Sequence, residues 1–265
     1  MALLARMSDE LPRFAPGIAV VQGGKASNLE GYGAALIFVP EALANLTIAR
    51  ERRSMGKLWL GDALSPLAPY SDLLVRTVLA RNRLEVNPEQ ELEGCFMAVD
   101  LPNEFSTRAL VVAVKKDLSM FQMLELAGKA VTQAMAVHPA SIALIDAGLD
   151  AHDSIRAMEA ACSAVLVAAG PIPNEKQRGP TSAHGVESLS IFPSSLDTAL
   201  LSRIQATAEG TNLCKYLTGS PANTLDNLSY RKWVHKLAAK ESWQVTELDE
   251  QRMAALGCGA FLAGA

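Results

Sequence analysis

The apolar run from Thr107 to Val114, TRALVVAV, constrains the fold of this chain more than any other feature of its 265 residues. It is rich in β-branched residues, it has no polar face, and charged residues follow it directly at Lys115, Lys116 and Asp117. A strand that is apolar on both faces is typical of a sheet covered by helices, as parallel sheets in α/β proteins are. The run therefore predicts a strand inside a covered sheet.

Helical spacing follows this strand. Residues Asp117 to Val137 place their apolar side chains on one stripe behind an N-cap at Asp117 or Ser119. The helix is predicted to end near His138-Pro139, because proline restricts the residue before it. The stripe consists of Met120, Met123, Leu124, Ala127, Ala130, Val131 and Ala134.

The same alternation repeats along the chain. A strand is predicted at Ala140–Asp146 and a helix at Asp153–Gly170, which stops at Gly170-Pro171. Strand, helix, strand, helix implies right-handed crossovers and a layered α/β domain. Residues 171–185 are predicted to form an exposed loop. Three further strands are predicted, the last of them at the edge of the sheet: Gly33–Pro40, Leu92–Pro102 and Val186–Phe192.

The last part of the chain shows the pattern on a smaller scale. A long amphipathic helix is predicted from Ser194 or Ser195 towards Leu217, with the domain boundary in it or before it. One strand between two short helices then offers too few sheet neighbours for an independent fold. We therefore expect the segment from Leu217 onward to be labile, to pair with another chain or to lean on the first domain. These elements are a helix at 227–240, a strand at Trp243–Leu248 and a helix at 249–256 capped by Asp249.

Composition and charge exclude several classes of protein. A chain with 49% hydrophobic and 20% charged residues can bury a sizeable core. The net charge of −4 gives no general attraction to nucleic acid or to an anionic membrane. The most apolar stretch, 160–170, is far shorter than the roughly 20 residues of a membrane span. We expect no nucleic-acid partner, no membrane partner and a cytoplasmic protein; its reduced core thiols would be Cys95, Cys162, Cys214 and Cys258.

The sequence lacks the motifs that carry well-known chemistries. Gly23-Gly24-Lys25 does not complete a phosphate loop, and Gly31-Tyr32-Gly33 precedes a strand, which favours a turn. The charged cluster at 50–53 is typical of a solvated helix face. No G-x-S-x-G nucleophile elbow occurs. The histidines lack the short spacing of zinc ligands, so we assign no catalytic, cofactor-binding or metal-binding residue; they are His138, His152, His184 in the exposed loop and His235 at the surface of its helix.

One resemblance suggests a family. Cys214–Thr224, CKYLTGSPANT, is followed by Leu248-Asp249 and then by Leu256–Ala263, LGCGAFLA. In order and spacing these segments resemble the start of the catalytic domain of the leucine aminopeptidase (cytosol aminopeptidase) family. Pro221 and Asn223 fit the turn of that family, whereas Gly219 and Cys258 stand where it usually has asparagine and methionine. The strand TRALVVAVKK and the helix with Ala127-Gly128 resemble its amino-terminal domain, which has a macro-like fold.

The resemblance implies a fold and an activity. It implies a macro-like α/β domain at 1–194, a linking helix at 195–218 and an incomplete catalytic domain at 219–265. The family removes amino-terminal residues from peptides with two divalent metals, zinc or manganese, and its members are usually hexamers. Its metal ligands lie carboxyl-terminal to the segment that resembles LGCGAFLA, so this chain alone is expected to be truncated and inactive. Peptide substrates and the two metals are expected of a full-length relative, and a homo-oligomer is expected here.

A second function remains open. The amino-terminal domain could act as a non-catalytic macro-like module that binds a nucleotide-like ligand or organises an oligomer. The family's usual hexamers favour assembly over ligand binding, since the sequence offers no clear phosphate loop. Calorimetry with ADP-ribose tests the ligand version, and light scattering tests the assembly version.

Overall fold

The structure is a computed structural model in which two compact units can be described. One unit runs to residue 218 and the other begins at Gly219. The described residues are 14, 17–23, 29–41, 60, 62–81, 96–173, 185–193 and 196–263. Among them no helix has the length and apolar character needed to cross a membrane.

A six-stranded sheet forms the centre of the first unit. Its strand order is β1-β6-β5-β2-β4-β3, and every neighbouring pair is parallel except β3 and β4. In the middle of the sheet Leu36 of β2 pairs with Leu110 of β4 on one side and with Leu144 of β5 on the other. The strands are β1 (Ala19–Gln22), β2 (Ala34–Pro40), β3 (Phe96–Asp100), β4 (Arg108–Val114), β5 (Ser141–Asp146) and β6 (Ser188–Phe192).

Helices cover both faces of this sheet. Alternate residues of β2 divide between two buried clusters, with Leu36 and Phe38 in one and Ile37 and Val39 in the other. The first cluster includes helices α2 (Met120–Met135), α3 (Ala151–Ala168) and α4 (Thr198–Gly219). The second includes a 3₁₀ turn (Ser65–Leu67) and α1 (Ser71–Arg81). All residues of 109–114 are buried, so the covered sheet and the α/β fold class predicted from TRALVVAV are confirmed.

Helix α2 follows the predicted pattern with one difference. Of the two predicted caps, Asp117 and Ser119, the structure uses Ser119, which forms a capping box with Gln122 that was not predicted. Leu124, placed in the buried stripe, is 39% exposed, whereas Leu126 is 7% exposed. Leu124 shares the angular position of Val131 but lies two turns earlier, where the neighbouring elements do not cover it. Periodicity gives the face of a helix but not how far along the helix that face is covered.

The predicted edge position of the last strand is wrong. Ser188–Phe192 lies inside the sheet, between β1 and β5. Its alternating serines, Ser188 and Ser190, suggested one solvent-facing side, yet Ser190 is only 8% exposed. The edge on this side is the four-residue strand β1, which was not predicted. The predicted strand at Leu92–Pro102 is found as Phe96–Asp100 at the opposite edge, and residues 92–95 lie outside the described part.

Side chains from α4 close the carboxyl-terminal end of α3. The Asn212 amide nitrogen donates to the carbonyl oxygen of Leu166 at 3.1 Å, and the Lys215 ammonium donates to that of Val167 at 2.5 Å. The last carbonyls of a helix attract donors and positive charge. Asn212 therefore supplies a partner to the Leu166 carbonyl, and Lys215 adds a second donor to the Val167 carbonyl, which also accepts from the N–H of Gly170 at 3.3 Å. Together they fix the long helix α4 against the α/β unit.

The second unit contains three helices and no strand among its described residues. Helix α5 (Asn227–Glu241) was predicted, and α6 (Glu250–Ala255) begins at the predicted cap, with the Asp249 carboxylate accepting from the N–H of Arg252. A short helix α7 (Gly259–Leu262) follows. The predicted strand at Trp243–Leu248 is wrong, because residues 243–249 have no regular structure and no described strand lies beside them to complete a ladder.

Candidate functional sites

The carboxyl edge of the parallel sheet is the first candidate site. The chain leaves β2 towards β3 and β4 on one side, and it leaves β5 towards β6 on the other. Ligands of open α/β sheets bind in the crevice at such a switch point. The loop after β5, from Asp146 to Asp150, lies at this position, whereas residues 42–59 after β2 are outside the described part.

Carboxylates occupy the backbone donors of this loop. The Asp146 Oδ1 atom accepts from the N–H of Gly148 at 3.1 Å and from that of Leu149 at 2.9 Å. Gly148 has a φ of +98°, a conformation that glycine adopts at little cost. The Asp150 side chain caps α3 by accepting from the N–H of Asp153 at 2.9 Å. Because side chains of the chain itself take these amides, the loop presents negative charge to a ligand and not free N–H groups.

A group of metal-ligand types lies at the start of α3. Asp150, His152 and Asp153 each bring one ligand atom within 4.8 Å of the others. Sequence spacing left His152 isolated, but its Nδ1 atom lies 3.4 Å from an Asp153 oxygen. The Arg156 guanidinium also approaches Asp153, at 3.7 Å. Helix capping and ion pairing therefore account for the group as it stands.

A second polar cluster lies in the unit of residues 219–263. Arg231 and His235 are one turn apart on α5, and both contact Glu247. The Arg231 Nε atom donates to Glu247 Oε1 at 2.6 Å, and His235 Nε2 lies 2.5 Å from the same oxygen. Hydrogen bonds from Arg231 and then from His235 hold the pKa of the Glu247 carboxyl at about 2. His235 is exposed, as predicted. Its contact with Glu247 was not predicted, because a separation of twelve residues matches no known motif spacing.

The glycine motif before β2 is a packed turn. Gly31 has a φ of +96°, and a Cβ at Gly33 would lie 2.8 Å from the Cβ of Pro139. The N–H of Gly33 donates to the Ser141 carbonyl oxygen at 3.0 Å. These contacts support the turn that the sequence favoured over nucleotide binding. Gly24-Lys25, the cluster at 50–53 and His184 lie outside the described residues.

The described cysteines are all free, but only one fits the predicted core thiols. Cys162 is fully buried on α3, and burial raises the pKa of its thiol to about 12. Cys214 is exposed and Cys258 is half-buried, so the prediction of a core position is wrong for both. Cys214 lies on α4, whose inward stripe passes through Ile204 and Ala208. Cys95 lies outside the described residues.

Comparison with known proteins identifies the fold. No family profile matches the sequence, and no match was found among curated proteins. A solved mutant of tomato leucine aminopeptidase is 19% identical with a TM-score of 0.64, over 95% of this chain and 47% of that one. Leucyl aminopeptidase from Leishmania major, solved with actinonin, is 13% identical with a TM-score of 0.52, over 90% of this chain and 42% of that one.

The comparison confirms the predicted resemblance at the level of the fold. The six-stranded, mostly parallel sheet with its helices is shared with these leucine aminopeptidases. The chain spans less than half the length of either solved protein. Their likeness therefore concerns one part of a larger architecture.

Proposed function

We propose that this chain is the amino-terminal part of a leucine-aminopeptidase-like exopeptidase, which removes amino-terminal residues from peptides. The observation that carries the proposal is the shared fold with tomato leucine aminopeptidase over 95% of the chain. The order of three sequence segments supports the proposal separately: CKYLTGSPANT, Leu248-Asp249 and LGCGAFLA. None of these segments belongs to the six-stranded sheet.

Residues 1–265 alone are proposed to be inactive. The resemblance places the two divalent metals, zinc or manganese, on residues carboxyl-terminal to the stretch at Leu256–Ala263. A two-metal site needs carboxylates free to clamp both ions. Asp150 already caps α3, and Asp153 faces both His152 and the Arg156 guanidinium, so these residues do not fit such a pair. We therefore assign hydrolysis, the two metals and peptide binding to a full-length relative of this chain. We propose that this relative works in the cytoplasm.

A leucine-anilide assay tests this proposal. Pure 265-residue chain with manganese or zinc is expected to release no anilide above the rate of the metal in buffer, while tomato leucine aminopeptidase provides the positive control. Turnover by the pure chain would contradict the proposal. A His152→Ala variant then locates the source, because only turnover that depends on the group at the start of α3 would disappear.

The alternative function is a non-catalytic assembly module. Large apolar side chains of the 219–263 unit are exposed, including Leu256 at 64% and Phe261 at 76%, which favours a role in association. The ligand-binding version has less support, because Asp146 and Asp150 occupy the amides at the switch point and would repel a diphosphate. Titration with ADP-ribose is expected to give no heat, and saturable heat would restore the ligand version.

A further inference from the structure

We draw no further inference here: the strongest candidate, the side-chain cluster of Asp150, His152 and Asp153 at the start of α3, is accounted for by helix capping and ion pairing, and no second feature of the described residues points to a metal there.

Discussion

Gly170 follows Ala169, the C-cap of α3, at a point where the fold has no room for a side chain. A Cβ there would lie 2.1 Å from both the Cγ and the Oδ1 of Asn212 and 2.4 Å from its Nδ2. Asn212 is fully buried, and its amide donates to the Leu166 carbonyl at 3.1 Å and to the Phe14 carbonyl at 3.2 Å. Gly170→Ala must therefore displace the side chain that closes α3.

The loss of stability follows from these contacts. Two buried hydrogen bonds contribute about 1 kcal/mol each, and forcing a methyl group into a packed site costs about 1 to 3 kcal/mol. We expect Gly170→Ala to lower the free energy of unfolding by about 3 kcal/mol or more. With a urea slope of about 3 kcal/mol per molar, the midpoint would fall by about 1 M.

Urea unfolding followed by far-ultraviolet circular dichroism measures this change, and amide exchange in α3 and α4 locates it. Gly128→Ala is the control, because a Cβ at Gly128 meets nothing within 4 Å and alanine favours the helix by up to about 1 kcal/mol. Adding Asn212→Ala to Gly170→Ala should cost less than the sum of the two single changes, because the truncated side chain makes room for the methyl group. A loss below about 0.5 kcal/mol in Gly170→Ala would refute the reasoning.

Two further predictions concern ionisation and reactivity. The pKa of Glu247 is lowered to about 2, so the stability from its contacts is complete above the unfolded pKa near 4.5 and is lost as the pH falls towards 2. Carboxyl carbon NMR should show this low midpoint, and Arg231→Ala should raise it; an unchanged midpoint would contradict the assigned contact. Burial should keep Cys162 unreactive to iodoacetamide near pH 8 while the exposed Cys214 is alkylated, and urea should remove the difference; rapid alkylation of native Cys162 would contradict its place in the core.

The elements that depend on residues close together in the sequence were predictable from it. The run at 107–114 is apolar on both faces because helices cover both sides of β4, and Ser119 caps α2 through contacts that span only three residues. The position of Ser188–Phe192 inside the sheet was not predictable, because it depends on β1, a four-residue strand more than 160 residues away. The group at His152 was missed because helix capping brings Asp150 and Asp153 to it without a metal-ligand spacing.

The strand prediction at Trp243–Leu248 failed for a related reason, because a strand depends on a neighbour that its own sequence does not specify. Side-chain pattern can show that a segment suits a strand, but a strand exists only when a neighbour supplies the hydrogen bonds of its ladder. Here the pattern is present, Glu247 holds the segment along α5, and no backbone group of 244–248 has a backbone partner among the described residues. The side-chain pattern of residues 243–248 therefore suits a strand, but the described residues supply no neighbour for it.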